Sequence, residues 1–440
     1  MGAKFHYEFG GPIGAFFIIW GLPAVIYGLY FLCNKEFCLR FDTSPNWELF
    51  YSTLTSNTKN LFTDEGTSIF IGWMIFHFFL ERILPGETAF GVLLPNNERL
   101  PYVLSGHLQF WVTLAVIWHG IPEIVYISNG PGNFLPAIEN FKSLPLYLVY
   151  DHYVGLITSS ILFSLALAIY LYATSFKNGA ILAKGGNSGN PIYDFFIGRE
   201  LNPRVGNFDL KVFCELRPGL IGWMVINMGM AYKQYQNDGV ISLSMLFLNI
   251  FQGFYVWDAL SAERAILTTM DVTTDGFGFM LAFGDLAWVP FIYSLQSRYL
   301  VDYDPHLSIN TLLLVVGLQL LGYYIFRAAN SEKDAFRRDP SSPEVAHLTY
   351  LQTKRGTKLI TSGWWGMARK INYTGDWLMT LSWCLLCGFD SPIPYFQAVY
   401  FLILLIHRAL RDDHMCHEKY GDDWLEYKKK VPYLFIPYII

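Results

Sequence analysis

INTLLLVVGLQLLGYYIF at residues 309–326 runs without a break into RAANSEKDAFRR at residues 327–338. The first part is long enough to cross a hydrocarbon layer of roughly 30 Å as a helix. The second part places Arg327, Asn330, Lys333, Arg337 and Arg338 directly behind it. On a continuing helix Asn330, Lys333 and Arg337 share one face. The stretch therefore reads as a membrane helix that carries a basic face to the bilayer surface.

Working outward, comparable apolar runs lie near 12–33, 68–84, 107–128, 151–175, 218–234, 240–257 and 277–300. The run 375–410 is interrupted by Asp390-Ser391-Pro392-Ile393-Pro394 and counts as two, since residues before proline avoid helical geometry. The expectation is an all-α, polytopic integral membrane protein with about ten transmembrane helices. Unpaired backbone groups are costly in lipid, and the runs lack the two-residue alternation of a barrel. Composition agrees: the 440 residues are 53% hydrophobic and only 15% charged, where soluble domains carry about 25%. The first run is longer than a signal-peptide core and lacks a small-residue cleavage pattern, so it is expected to remain as a helix. A single domain over 1–440 is expected, with N-terminal helices to about 235 and a second half from about 236.

Basic residues concentrate in the loops 176–217 and 328–374 and in the tail. These include Lys211, Arg217, Lys333, Arg337, Arg369, Lys370 and Lys428 to Lys430. With ten spans all three regions share one face, which the positive-inside rule makes cytoplasmic. No nucleic-acid partner is implied by a net charge of −5. The six cysteines, Cys33, Cys38, Cys214, Cys384, Cys387 and Cys416, lack the spacing of a disulfide framework and read as reduced thiols. Gly185-Gly186-Asn187-Ser188-Gly189 lacks the context of a phosphate loop and reads as a flexible loop.

Three constellations can carry chemistry. Lys333 and Arg337 can grip phosphates, against the plainer reading of a lipid-facing anchor. Trp365, Asn372, Tyr373 and Asp376 combine aromatic faces with amide and carboxylate groups suited to a heteroaromatic ring, although interfacial belts also collect Trp and Tyr. The tail holds Arg408, Arg411, Asp412, Cys416, Tyr420 and Tyr427. His407, His414 and His417 lie among them without a zinc spacing, so no metal is expected. Asp258, Glu263, Asp271, Asp275 and Asp285 are embedded in apolar sequence, where a carboxyl group faces a cavity or a partner such as Arg264 or Arg298.

The chain resembles the sterol reductase family, which includes Δ14-sterol reductases, the membrane part of the lamin B receptor, and the Δ7 and C-24(28) reductases. The resemblance runs from Tyr7-Glu8-Phe9-Gly10-Gly11-Pro12 through Phe208-Asp209 and Cys214-Glu215-Leu216-Arg217-Pro218-Gly219. It continues in LTTMDVTTDGFGFMLAFGDLAWVPFIYSLQ from residue 267, GYYIFRAANSEKDAFRRDP from residue 322, and the tail WLEYKKKVPYLFIPYII. The blocks around Tyr255 to Asp285 and Asn372 to Trp377 are most similar to Δ14-sterol reductases. The tail pattern Tyr420-Gly-x-x-Trp-x-x-Tyr427 is also similar to isoprenylcysteine carboxyl methyltransferases.

The resemblance implies NADPH-dependent reduction of a sterol carbon-carbon double bond, foremost the Δ14 bond, with catalysis in the second half. It implies a cofactor site of Lys333, Arg337, Trp365, Asn372, Tyr373, Asp376, Arg408, Arg411, Asp412, Cys416, Tyr420 and Tyr427. Tyr255, assisted by Asp258 or Glu263, is the expected proton-delivery group. The expected partners are a sterol drawn from the bilayer and membrane lipids, with no obligate protein partner. The chromatin-binding region of the lamin B receptor is expected to be lacking. The expected membrane is the endoplasmic reticulum in a eukaryote and the inner membrane in a bacterium. The alternatives are Δ7 or C-24(28) reduction, a non-catalytic sterol-binding scaffold, and methyl transfer.

Overall fold

The computed structural model describes residues 5–58, 61–94, 97–128, 134–142 and 144–439. The chain is mostly helical, as expected, but the all-α reading needs correction for four small antiparallel hairpins. The principal helices are α1 (Gly11–Leu32), α2 (Asp64–Ile83), α3 (Gly106–His119), α4 (Tyr153–Thr174), α5 (Leu220–Asp238) and α6 (Leu243–Ser261). They continue with α7 (Leu295–Asp302), α8 (Ile309–Arg338), α9 (Ile371–Leu385), α10 (Phe396–Tyr420) and α11 (Asp422–Lys430). The hairpins pair β1 (Glu87–Phe90) with β2 (Pro101–Leu104), β3 (Ile121–Ser128) with β4 (Phe134–Lys142), β5 (Arg204–Val205) with β6 (Phe208–Asp209), and β7 (Tyr350–Gln352) with β8 (Lys358–Ile360). Packing divides the chain into two compact units, Met1–Leu39 with Ser44–Asp302, and Arg40–Thr43 with Tyr303–Ile440. The division does not coincide with the expected halves at 235 and 236.

Six helical stretches among the described residues are long and apolar enough to cross a membrane: Gly11–Leu32, Tyr153–Thr174, Leu243–Ser261, Phe279–Asp302, Ile309–Arg338 and Ile393–Tyr420. The other four expected spans differ for identifiable reasons. The run 107–128 is helical only to His119, where Gly120 takes φ 82° and the chain turns into β3. Charged residues enter α2 at both ends, Asp64 and Glu65 in its first turn and Arg82 in its last. In α5 the buried positions include Asn227 and Gln234, which suits a helix packed against protein. Asn227 donates to Gln252 (2.6 Å), Gln234 donates to the Leu300 carbonyl (2.8 Å), and the Trp223 indole donates to Gln252 and to the Tyr293 carbonyl (both 3.0 Å). The helix α9 has 15 residues. The break expected at Asp390 to Pro394 is present, with α9 ending at Leu385 and α10 starting at Phe396.

The first unit is organised around buried charge. Arg217 and Lys211, counted above among the basic residues of the 176–217 loop, are 1% and 0% exposed. Arg217 sits in a π-turn, Glu215–Gly219, that feeds α5. Its guanidinium contacts Glu81 of α2 at 2.8 Å and Glu263 at 2.6 Å. The same carboxylates extend the network: Glu263 accepts the Gly106 amide (2.9 Å) at the start of α3, and Glu81 accepts Ser105 (3.0 Å) and Gln109. A desolvated Arg needs this pairing, because an uncompensated buried charge is among the costliest defects in a protein. Lys211 donates to the carbonyls of Asp271 (2.6 Å) and Asp275 (2.8 Å), and burial pulls its pKa down to about 8.

Two further expectations need correction. Cys33 and Cys38 form a disulfide and are not reduced thiols. The Asn34 side chain accepts the amides of Glu36 (2.9 Å) and Phe37 (3.1 Å), and this turn brings the two cysteines together. The 185–189 glycine cluster is anchored: buried Asp194 accepts the Ser188 amide (2.8 Å), the Ser188 hydroxyl (2.7 Å) and the Gly189 amide (3.1 Å).

In the second unit, α8 and α9 pack backbone to backbone. A Cβ added at Gly375 would lie 2.5 Å from the Gly322 carbonyl oxygen and 2.6 Å from the Phe326 nitrogen. One at Gly322 would meet the Gly375 carbonyl at 2.7 Å. Small residues that admit such approach are the usual basis of tight helix crossings in lipid. Around this pair, Phe336, Val345, Leu348, Ile360 and Trp365 form one core, while Trp424, Tyr427 and Val431 of the tail form another with Leu351 and Leu359 of the β7–β8 hairpin.

Two substitutions test these constraints through thermal unfolding in detergent. Gly375→Ala should destabilise by about 1–3 kcal/mol through overpacking, whereas Gly317→Ala, with nothing within 4 Å of the new Cβ, should be near neutral. Arg217→Met strands the buried Glu263 and the half-buried Glu81 carboxylates and should cost about 3–5 kcal/mol. Arg264→Met removes only the exposed pair with Glu87 and should cost less than about 1 kcal/mol.

Candidate cofactor site

The helix α8 continues through Arg338, so the face carrying Asn330, Lys333 and Arg337 forms as the pattern requires. Lys333 turns inward, with its ammonium 3.9 Å from the Trp365 ring centroid, while Arg337 remains exposed. The Trp365 indole donates to the Ala329 carbonyl (2.7 Å), which fixes the ring at 5% exposure. Trp365 thus acts through Lys333: its ring holds the ammonium by a cation–π contact in a largely desolvated position.

Lys333 lies within electrostatic reach of Arg337, Lys370, Asp412 and Cys416. Three segments converge there. The first is α8. The second is the turn before α9, where Lys370 binds Asp412 at 2.6 Å and lies 5.6 Å from the Tyr373 ring. The third is α10, on which Arg408, Asp412, Cys416 and Tyr420 recur every four residues along one face. Arg408 and Arg411 are half-buried on that helix, and the Cys416 thiol points at Asp412 (3.7 Å).

Asn372 donates to Asn330 at 3.3 Å across the α8–α9 crossing, and its amide oxygen is buried without a partner among the described residues. Asp376, one turn further along α9, is 8% exposed. The Asn372 oxygen, a buried acceptor, costs free energy unless a ligand supplies the donor. In the tail, Tyr420 stacks on Trp424 (6.3 Å, 26°), and Trp424 lies 5.0 Å from Tyr427. Burial raises the Tyr427 pKa, so its hydroxyl stays protonated and can donate.

The site contains two residues that sequence reasoning left out. Lys370 neutralises Asp412. Arg369 is anchored by the Val431 and Pro432 carbonyls (both 2.7 Å) and lies 3.8 Å from Asp413. Asp413 also accepts Trp424 (3.0 Å) and Lys428 (3.1 Å), which ties α11 to α10. The adjacency of Arg369-Lys370 to Asn372-Tyr373 was the available signal, but a basic pair at a membrane surface reads equally as an anchor.

This donor set fits a phosphorylated dinucleotide: cations at fixed spacing, a desolvated ammonium, an unpartnered amide oxygen and stacked aromatic rings. Among the described residues no three His, Cys, Asp or Glu side chains gather as metal ligands, and Asp412 and Asp413 are matched by Lys370, Arg369 and Lys428.

The expected proton-delivery residues belong to the first unit. Tyr255 is half-buried on α6, with its ring 5.8 Å from Trp223. Asp258 follows three residues later, on the same face. Glu263 lies beyond the end of α6 and is engaged by Arg217 and Gly106, not by Arg264 or Arg298. Burial raises its pKa and Arg217 opposes the shift.

Comparison with known proteins identifies the family of the chain. Residues 3–440 match the model of the ergosterol biosynthesis ERG4/ERG24 family. Delta(14)-sterol reductase erg24 of Schizosaccharomyces pombe is 45% identical over 439 residues, covering 99% of this chain and 98% of the relative. Delta(14)-sterol reductase ERG24 of Saccharomyces cerevisiae is 42% identical over 455 residues, covering 99% and 98%. Delta(14)-sterol reductase LBR of Gallus gallus is 43% identical over 434 residues, which is 98% of this chain and 63% of that relative. The matched span, residues 3–440, takes in both units, and the chain belongs to the ergosterol biosynthesis ERG4/ERG24 family.

Proposed function

We propose that this chain is an integral membrane enzyme that reduces a sterol carbon-carbon double bond with NADPH, acting on the Δ14 bond of a Δ8,14-diene. The observation that carries the reading is the Lys333 cluster, which gathers the donors a dinucleotide phosphate needs. The family and the names of its Delta(14)-sterol reductase relatives support the substrate class.

An alkene is a poor hydride acceptor, so a proton must arrive before or with the hydride. NADPH, when bound, supplies that hydride. The protein's own groups do the rest. Lys333 and Arg337 bind phosphate, with Trp365 holding Lys333 in place. Asn372 offers its free oxygen to an amide donor. Arg408, Arg411, Asp376, Tyr420 and Tyr427 complete the polar and aromatic wall, and Lys370 pairs with Asp412 beside Cys416. Tyr255 delivers its hydroxyl proton to sterol carbon 15, assisted by Asp258, which leaves a carbon-14 cation spread over the neighbouring double bond. Glu263 contributes through the Arg217 network that fixes the end of α6.

The basic loops face the cytoplasm in this reading, with the membrane that of the endoplasmic reticulum in a eukaryote. The Cys33–Cys38 disulfide supports that orientation, because it closes the end of α1 opposite Gly11 and disulfides persist on the oxidising side. The substrate is drawn from the bilayer.

Purified protein incubated with NADPH and, in parallel, Δ14, Δ7 and C-24(28) unsaturated sterols should reduce the Δ14 substrate alone, read by mass spectrometry. Preferential reduction of either other sterol reassigns the bond, and no reduction of any removes the enzyme reading. Tyr255→Phe should lower turnover by about 100-fold or more, in the range of a lost general acid, while NADPH affinity is unchanged. Unchanged turnover takes Tyr255 out of the mechanism.

A further inference from the structure

The first unit holds a polar cavity of about 300 Å³ beside the Cys33–Cys38 disulfide, at the lower bound of the ~300–1,000 Å³ range of small-molecule sites. The C-terminal ends of α1 and α5, the start of α4 and the Arg298 turn of α7 meet there. Gly11–Leu32, Tyr153–Thr174 and Phe279–Asp302 are stretches of membrane-crossing length. The cavity therefore lies where such helices leave the hydrocarbon and meet the headgroups.

Arg298 lines this cavity, yet it is 3% exposed. The Tyr30 and Tyr153 rings pack on its guanidinium, with centroids at 4.8 and 5.7 Å, and its Nη1 donates to the Cys33 carbonyl. Among the described residues it forms no ion pair. Asp302, one turn on, is within electrostatic reach but accepts the Tyr150 hydroxyl at 2.7 and 2.9 Å. The rest of the guanidinium is not among the sealed, unpartnered polar atoms, so it opens on the cavity. A desolvated guanidinium calls for an anion there.

The groups around Arg298 narrow the choice of anion. Lys35, Lys233, Glu36 and Asp151 also line the cavity, and Lys233 binds Asp151 at 2.6 Å. Lys35 and Glu36 are exposed and form no ion pair among the described residues. With Asp302 counted, three cations face three carboxylates, but Asp151 and Asp302 are already engaged. Arg298 and Lys35 remain for an anion, and Glu36 remains for a cation. The Asn34 turn and the disulfide fix Lys35 and Glu36 in place, which lowers the ordering cost of binding. The complement is a phosphate with an ammonium a few bonds away, the phosphate meeting an Arg fork and a Lys point charge.

We propose that this cavity binds the headgroup of a zwitterionic phospholipid, with Arg298 and Lys35 on the phosphodiester and Glu36 on the ammonium. The bilayer supplies such a group at the ends of these helices. Free phosphate offers the same oxyanion without the ammonium. The site is independent of the reduction chemistry.

The test uses the full chain, stripped of lipid in detergent and titrated with short-chain phosphatidylethanolamine under native mass spectrometry. Phosphatidylglycerol of the same chain length and inorganic phosphate are the comparison arms. Phosphatidylethanolamine should bind saturably and more tightly than phosphatidylglycerol, and inorganic phosphate should not displace it. Arg298→Gln should weaken binding about tenfold to a hundredfold, and Lys35→Ala about threefold to tenfold. Glu36→Gln should abolish the preference for phosphatidylethanolamine over phosphatidylglycerol. Equal binding of the two lipids by the wild type, unchanged affinity in Lys35→Ala, or displacement by inorganic phosphate would overturn the proposal. If Arg298→Gln does not fold, Lys35→Ala and Glu36→Gln decide, since both side chains are exposed.

Discussion

The approach of α8 to α9 at Gly322 and Gly375 sets the geometry of the second unit. With a Cβ at either position the backbones would have to separate, and Asn330, Lys333 and Trp365 would move away from Asn372, Lys370 and Asp412. The crossing therefore does more than bury surface. It converts a basic helix end, which in isolation would anchor in lipid headgroups, into one wall of a polar cluster whose opposite walls are α9 and α10. Trp365 then draws the Lys333 ammonium inward, and Lys370 balances the Asp412 carboxylate.

The first unit follows a different logic. Its interior holds an Arg, two Glu and a Lys that lipid alone could not accommodate, and each is matched by short hydrogen bonds or a carbonyl cage. The network joins α2, the start of α3, the π-turn before α5 and the segment after α6. Such a network offers modest net stability, because desolvation offsets much of the attraction. Its effect is positional: Glu263 is held where Arg217 requires it, and that fixes the chain leaving α6 behind Tyr255 and Asp258.

Much of this was legible in the chain. The apolar run of residues 309–326 and the polar residues at three- and four-residue spacing behind it predict α8 and its basic face, and the proline-rich break at Asp390 to Pro394 predicts the α9–α10 division. What escaped was whatever depends on partners distant in sequence. Arg217 and Lys211 read as loop cations because their carboxylate and carbonyl partners lie dozens to more than a hundred residues away. The Cys33–Cys38 bond depends on a local turn made by Asn34, which a search for a repeated cysteine framework does not register. Only six of the ten apolar runs form helices long and apolar enough to cross a membrane among the described residues, because α5 carries buried polar side chains, α9 is short, charge enters both ends of α2, and Gly120 redirects the run 107–128. In the site, Lys333 and Asn372 could be named from the pattern, but Trp365 as the group that seats Lys333, and Lys370 as the counter-ion of Asp412, needed coordinates.

The account rests on the claim that the Lys333 cluster grips the phosphates of a dinucleotide. Equilibrium titration of NADPH into the purified, detergent-solubilised full chain tests it most directly, comparing wild type with a Lys333→Ala, Arg337→Ala double variant whose thermal unfolding is checked alongside. The account predicts saturable binding to the wild type and a loss of about 100-fold in the double variant, from two charge-assisted contacts of about 1.5 kcal/mol each. Equal affinity in the two folded proteins would contradict it.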